Sequence, residues 1–210
     1  MQSQDLEVFE KLVEWLQQGK SPYLCTIVKA IGSSPRPVGS MLGCCGEQSI
    51  GTLSGGCVED DLLEKLRANK IDASVPQLME YGVSAEENER LGLPCGGRLN
   101  ILVQQLSPGG AYWIIDGTTA LRARQSVART TDLKTGVTTI RITEDHVPLS
   151  LTGESLTQGL GPKMQMLLVG AGQLAQVLAQ LALAMDYEVI VTDTREAVIA
   201  PPQGPDVGLP

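Results

Sequence analysis

The run Gly51-Thr52-Leu53-Ser54-Gly55-Gly56-Cys57-Val58-Glu59 sets a cysteine on a Gly-Gly turn, directly ahead of an expected helix from Glu59 to Leu66. Paired glycines let a backbone turn sharply and let another group approach where a Cβ would obstruct it. The first-turn N–H groups of a helix attract anions, and the helix dipole favours a thiolate over a thiol. The place therefore suits a phosphate, an oxyanion or reactive sulfur. Glu59, Asp60 and Asp61 oppose a thiolate, and they equally suit a plain helix dipole above a buried structural cysteine. Both readings are open on this run taken alone.

Other residues share the same kind of setting. Cys95 precedes Gly96-Gly97, so its sulfur also lies where a second group can come close. Arg36 sits in the loop Gly32-Ser33-Ser34-Pro35-Arg36-Pro37-Val38-Gly39, where its planar fork suits a phosphate or a ring oxygen. Ser33 and Ser34 offer hydroxyl donors there, although serines beside a Gly-Pro turn commonly just cap it. Cys25, Cys44 and Cys45 fall in strand-like runs and read as core, with the adjacent pair on opposite faces of a regular strand. With His146 as the one histidine, His-based metal sites and Cys-His catalytic pairs are nearly excluded, and no metal site is expected.

A third constellation lies near the C-terminus. The apolar strand Met166 to Val169 leads into Gly170-Ala171-Gly172-Gln173-Leu174-Ala175, then a helix from Gln173 to Met185, then the strand Glu188 to Thr192 ending at Asp193. That order is the dinucleotide-binding fingerprint. Gly170 makes the turn, Gly172 admits a pyrophosphate, Ala175 lets helix and strand pack closely, and Asp193 accepts from a ribose. Asp193 favours NAD over NADP, and Arg195 reads as a solvated surface charge.

The elements that must position these groups can be followed along the chain. Asp5 to Gln18 reads as an amphipathic helix with Leu6, Phe9, Val13 and Leu16 on one face and Leu12 at its edge. Strands are expected at 23–28, 41–45, 77–81 and 99–104, with a short helix at 85–91. Beyond the break Ser107-Pro108-Gly109-Gly110, strands at 112–115 and 137–142 flank an expected helix at 118–128. Residues 143–163 read as a linker. Three parts follow: an α/β domain over 1–106, a connecting segment over 107–163, and an apparently truncated Rossmann-like half over 164–210. The fold class is α/β, mixed in its first domain and parallel in its last. The half-sheet is expected to belong to a longer chain, or to be completed by dimerisation or by the first unit.

Bulk properties remove some functions. A net charge of −8 and the absence of any Lys/Arg cluster argue against nucleic acid and anionic membrane partners. No apolar stretch is long enough to span a bilayer, and the acidic amphipathic start is unlike a signal peptide. Five cysteines without a C-x-x-C pair fit a reduced, cytoplasmic protein. Seven aromatic side chains leave the core to Leu, Val, Ile and Ala.

Together and in this order, Gly32 to Gly39, Ser54 to Glu59, and Gly92-Leu93-Pro94-Cys95-Gly96-Gly97, ahead of a Rossmann-like half, resemble the XdhC/CoxI family. Its members are accessory proteins of xanthine dehydrogenase and related molybdenum hydroxylases. The resemblance implies a maturation chaperone that binds the molybdenum cofactor (molybdopterin), supports its sulfuration and delivers it to the apo-hydroxylase. A cysteine desulfurase would be a second partner, and a homodimer the expected state. On this resemblance Cys57 and Cys95 handle sulfur or contact molybdenum. Ser33, Ser34, Arg36, Gly55, Gly56, Glu59, Gly96 and Gly97 would hold the cofactor. Family members continue through a longer Rossmann domain than this chain has. Two other classes remain open: an NAD(P)-dependent oxidoreductase using Gly170, Gly172, Ala175 and Asp193, which lacks an evident proton-transfer residue, and a thiol-redox module without cofactor.

Overall fold

The computed structural model describes residues 4–32, 34, 36–91, 93, 97–144, 147–162, 164–185, 187–193 and 195, in a mixed α/β arrangement. The chain divides into two compact units, residues 2–161 and residues 162–210.

The larger unit is organised by strand β1 (Tyr23–Ile31). Leu24 to Val28 are buried without a break, as in a strand covered on both faces. Its neighbours are β2 (Met41–Cys45) and β5 (Arg98–Gln105), with β3 (Gln48–Gly51) beyond β2 and β4 (Gln77–Tyr81) beyond β5. All four pairings are antiparallel. The register with β5 slips between Ile27 and Lys29, so a bulge falls just ahead of the Gly32 loop.

One face of this sheet carries Cys25, Ile27, Leu42, Cys44, Ile101 and Val103. Helix α2 (Cys57–Arg67) covers it through Val58, Leu62 and Leu66, and Leu53, Leu91 and Leu93 join the same cluster. Helix α3 (Ala85–Arg90) follows Ser84, whose hydroxyl caps it by accepting from the Glu87 amide. On the other face, Leu24 and Met41 pack with α1 (Gln4–Gln17) and α4 (Tyr112–Arg122). The buried stripe of α1 is Leu6, Val8, Phe9, Leu12 and Trp15. Leu12 is therefore at the centre of the stripe, whereas the sequence put it at the edge. Trp15 is fully buried and donates its indole N–H to Gln48 Oε1 at 3.0 Å.

A second sheet pairs β6 (Val127–Asp132) with β7 (Thr138–Ile142) and β9 (Ser155–Leu160), and β8 (Ser150–Leu151) lies beyond β9. It packs against the α1/α4 side of the first sheet. Val28 and Leu102 meet Leu156 there, and Gln104 on β5 donates to Thr138 Oγ1 and the Gly136 carbonyl.

Several elements differ from the sequence reading, among them β3, which that reading lacks, and β8, which falls in the expected linker. Tyr112 to Ile115, expected as a strand, is the first turn of α4. Trp113, Ile114, Gly117, Thr118 and Leu121 share its buried face, and that helical spacing overrides the β-propensity of Tyr-Trp-Ile-Ile. Val127 and Ala128 begin β6 instead of ending a helix. Residues 155–160, expected within a linker, form β9, whose inward positions are Leu156, Gln158 and Leu160. The buried glutamine hid the alternation.

The smaller unit is one β–α–β element: β10 (Met164–Val169), α5 (Gln173–Ala184) and β11 (Tyr187–Thr192), with its strands parallel. Leu167, Val169, Leu174 and Leu181 are exposed on it.

Gly51 is where β3 hands the chain to the Cys57 turn. It sits at φ +82°, and a Cβ there would strike the Met41 carbonyl oxygen and lie 2.8 Å from Val8 Cγ2. Gly51→Ala is expected to lower the unfolding free energy by about 2–4 kcal/mol, the left-handed cost plus local overpacking. Urea denaturation reads this directly, and a loss below about 1 kcal/mol would show the turn is not constrained.

Candidate functional site

Cys57 is the first residue of α2, two residues earlier than the expected helix start, and its side chain is exposed. Gly55 needs its glycine, with φ at +68°. Gly56, the N-cap, is extended and within reach of any residue, and nothing stands within 4 Å of where its Cβ would be. No internal packing therefore requires a glycine at position 56. The sulfur and the open backbone beside it face outward.

Glu59 has a definite role that the sequence left between two options. Its Oε2 accepts from Thr52 Oγ1 at 2.8 Å and from the Leu53 N–H at 2.9 Å, with longer contacts to the N–H groups of Ser54 and Gly55 at 3.4 Å. A concave run of amides that would cradle an anion is already filled by the chain's own carboxylate. A phosphate does not have those donors at its disposal while Glu59 stays in place. Asp61 is likewise more than a dipole partner. Burial works against its charge, but ion pairs with Lys65 at 2.7 Å and Arg90 at 2.9 Å win and hold its pKa below the ordinary value. Arg90 thereby fastens α3 to α2. Neither role leaves a sequence signal beyond an acid in a helix's first turns.

Ser34 donates to the Arg36 carbonyl at 2.6 Å, so it shapes the loop. Arg36 is exposed, and its guanidinium has no hydrogen bond or ion pair among the described residues. The structure brings two of the three sequence segments into contact, since a Cβ on Gly32 would come within 3.4 Å of Gly97 Cα. The Leu53 and Leu93 segments meet in one hydrophobic cluster. No hydrogen bond among the described residues joins Ser34 or Arg36 to the Cys57 turn. Ser33, Cys95 and Gly96 lie outside the described residues.

The remaining thiols are structural. Cys44 belongs to the α2-side cluster and Cys45 packs toward α1, as alternation along a strand requires. A hydrogen bond with Cys44, then burial, pushes the Cys25 thiol well above its ordinary pKa. Tyr81 in the same cluster is also raised, by burial and by the Asp61 charge.

In the smaller unit Gly170 takes φ +100°, and open space surrounds both Gly170 and Gly172. Asp193 is engaged from within. The Arg195 fork donates to both its oxygens at 2.9 Å, and the Ala171 N–H reaches Oδ2 at 2.7 Å. The Arg195 fork first, then these amides, hold its pKa well below the usual carboxylate range. Arg195 is thus the partner of Asp193, where the sequence suggested a free surface charge. Ala175 lies within α5.

Elsewhere, an open groove of about 650 Å³ between α1 and α4 is lined by Glu7, Val13, Gln17, Ile115 and Thr119, and by none of the candidate residues. Among the described residues no group of three or more His, Cys, Asp or Glu is placed to hold a metal ion. No helix there is long and apolar enough to cross a membrane.

Glu59→Ala would strand the buried Leu53 amide and the Thr52 hydroxyl. The expected loss is about 1.5–3 kcal/mol of unfolding free energy, the range for hydrogen bonds to a charged acceptor. A loss under about 0.5 kcal/mol in urea titration would remove Glu59 as the organiser of the turn.

The chain is 27% identical over 211 residues to a probable xanthine dehydrogenase subunit of Bacillus subtilis (strain 168), covering 87% of this chain and 62% of that protein. It is 26% identical over 186 residues to the "Molybdenum cofactor insertion chaperone PaoD" of Escherichia coli (strain K12), covering 86% of this chain and 55% of that one. It thus spans about three fifths of the length of these curated relatives. A crystal structure of a xanthine dehydrogenase from Bacillus halodurans superposes with a TM-score of 0.59 at 22% identity, over 92% of this chain and 64% of that one. At that identity the likeness concerns the fold. Residues 15–82, which hold the Arg36 loop and the Cys57 turn, match the model of the XdhC and CoxI family.

Proposed function

We propose that this chain is the cofactor-binding part of an accessory protein for a molybdenum hydroxylase of the xanthine dehydrogenase type. It takes up the molybdenum cofactor as cargo, keeps it through sulfuration and hands it to the apo-enzyme in the cytoplasm. A relative named as a molybdenum cofactor insertion chaperone supports the first part of this reading. The observation that carries it is the exposed Cys57, beside a glycine that no internal packing requires, inside the matched segment.

The chain's own groups divide the work by chemistry. The Cys57 sulfur is a soft donor suited to molybdenum or to a sulfur ligand on it. Gly55 and Gly56 keep the approach to that sulfur clear. Arg36, unpaired among the described residues, has the fork geometry for the cofactor's phosphate. Glu59 keeps the turn in shape and is not itself a contact to the cargo. Cys95, Gly96 and Ser33 enter the proposal from the sequence pattern alone. A cysteine desulfurase as sulfur source and a second copy of the chain as dimer partner belong to the same proposal. A nicotinamide cofactor does not, because the carboxylate that would receive its ribose is occupied by Arg195 and Ala171.

The test is anaerobic incubation of the full chain with molybdenum cofactor, then desalting and metal analysis. Wild type should retain molybdenum near one equivalent. Cys57→Ala and Arg36→Ala should each retain at most about a tenth of that, equivalent to the loss of about 1.4 kcal/mol or more of binding. Wild type emerging without molybdenum would end the proposal. Full retention by Cys57→Ala would move the sulfur role to Cys95, tested by Cys95→Ala in the same series.

A further inference from the structure

Between the two sheets of the larger unit lies a polar seam that the cofactor reading leaves unused. Arg129 on β6 is 1% exposed and Gln158 on β9 is 2% exposed, and the two are directly paired across the β6–β9 ladder. Arg129 Nη2 donates to Gln158 Oε1 at 2.8 Å and to Thr26 Oγ1 on β1 at 3.1 Å. Gln158 Nε2 donates in turn to the carbonyl oxygen of Gly39 at 2.8 Å. Gly39 closes the loop that holds Arg36. It adopts φ +94°, donates its N–H to the Ile27 carbonyl at 2.8 Å, and precedes Ser40, whose carbonyl accepts from the Ile27 N–H at 3.0 Å. Gly39 is thus gripped from both sides, by β1 through its N–H and by Gln158 through its carbonyl oxygen.

The chemistry allows one orientation of the amide. A guanidinium can only donate, so the end of Gln158 that faces it must be the oxygen. The other end must then be the NH₂, which is what the Gly39 carbonyl requires. Rotating the amide by half a turn would set donor against donor and acceptor against acceptor. The arginine is an expensive way to obtain this. Its Nε and Nη1 are buried without a hydrogen-bond partner, and Trp113 supplies only its ring, 5.8 Å from Cζ. Burial pulls its pKa down to about 10, so it is still a cation at neutral pH. Apolar replacements of buried charges are often neutral or stabilising, so stability alone does not account for a charge in this place.

We infer that Arg129 and Gln158 are positioning residues for the Arg36 loop: the buried guanidinium sets the Gln158 amide, and the amide holds the Gly39 carbonyl in register. The second sheet is then a support for the loop, not only a cover for the core. This rests on the reading that the loop binds the cofactor, but the coupling itself is measurable without cofactor.

Gln158→Glu separates positioning from general support. The carboxylate satisfies Arg129 and keeps the side-chain length, but it offers no N–H to Gly39. Expected is at least tenfold faster hydrogen exchange at the Gly39 and Ile27 amides, while α2 and β5 exchange at wild-type rates. Gln158→Met, which removes both ends of the link, should quicken the same two amides and serves if the glutamate variant does not fold. Thr26→Val takes away the other acceptor of Arg129 and should leave both amides as in wild type. Unchanged exchange in the folded Gln158 variants, uniform quickening over the whole sheet, or equal quickening in Thr26→Val would each overturn the inference. In the molybdenum retention assay Gln158→Glu should hold at most a fifth of the wild-type metal. Wild type without molybdenum would sink the cofactor reading while the exchange pattern still decides the coupling.

Discussion

Strand β1 must be buried on both faces at once, and the larger unit is arranged around that demand. Cys25 and Ile27 point to α2, while Leu24 and Val28 point to α1, α4 and the second sheet. Each fully buried aliphatic side chain contributes about 1.5–3 kcal/mol, so neither face can be left uncovered without a large fraction of the stability being lost. The two candidate loops are the connections this arrangement imposes. The Arg36 loop joins β1 to β2, and the Cys57 turn brings the chain from β3 to the helix that covers the first face. Their stems are therefore set by the most strongly buried part of the molecule, while their tips are free to face outward.

Thr26 is the polar exception in the buried run of β1, and it falls on the side where the second sheet arrives. A threonine there would be a poor core residue without a donor, and Arg129 supplies one. The same guanidinium, through its separate bond to Gln158, aligns that amide with Gly39. A second polar link, from Gln104 to Thr138 and Gly136, ties β5 to the β6–β7 hairpin. Apolar contacts between sheets tolerate sliding, whereas paired donors and acceptors do not. These links give the sheet packing a register that Val28, Leu102 and Leu156 by themselves would not define.

Periodicity made much of this legible in the amino-acid sequence. The apolar spacing of α1, the β-rich run at 23–28 and the strand–glycine–helix–strand order at 166–192 all correspond to elements of the structure. What was hidden has a common cause. The first turn of α4 is written in residues with strong β-propensity, and only its burial against Phe9 and Ile140 reveals a helix; a Cβ on Gly117 would meet both. Strand β9 carries a glutamine where a core strand normally carries an aliphatic residue, so its alternation is masked by the residue that matters most there. At the site, the position of Cys57 could be read from Gly55-Gly56. That Glu59 fills the turn's amides could not, because the same acid suits the helix dipole without any such contact. Asp193 is parallel: the motif names the acid, but its occupation by Arg195 depends on the path of the chain after β11.

Which donors and acceptors the protein consumes internally decides what it can offer a ligand. The Leu53, Ser54 and Gly55 amides are spent on Glu59, the Gly56 amide on the Ser54 hydroxyl, the Ser34 hydroxyl on the Arg36 carbonyl, and the oxygens of Asp193 on Arg195 and Ala171. Cys25 and Cys44 are sealed in the core. Left over among the candidate residues described are a soft sulfur at Cys57, an unpaired guanidinium at Arg36 and the open backbone at Gly56. A bare phosphate would prefer the amides that Glu59 occupies, and a nucleotide would need the acid that Arg195 holds. In the proposed reading, a ligand combining a soft metal–sulfur centre with an anionic tail would draw on what remains. The internally satisfied groups thus narrow the ligand class as much as the exposed ones do.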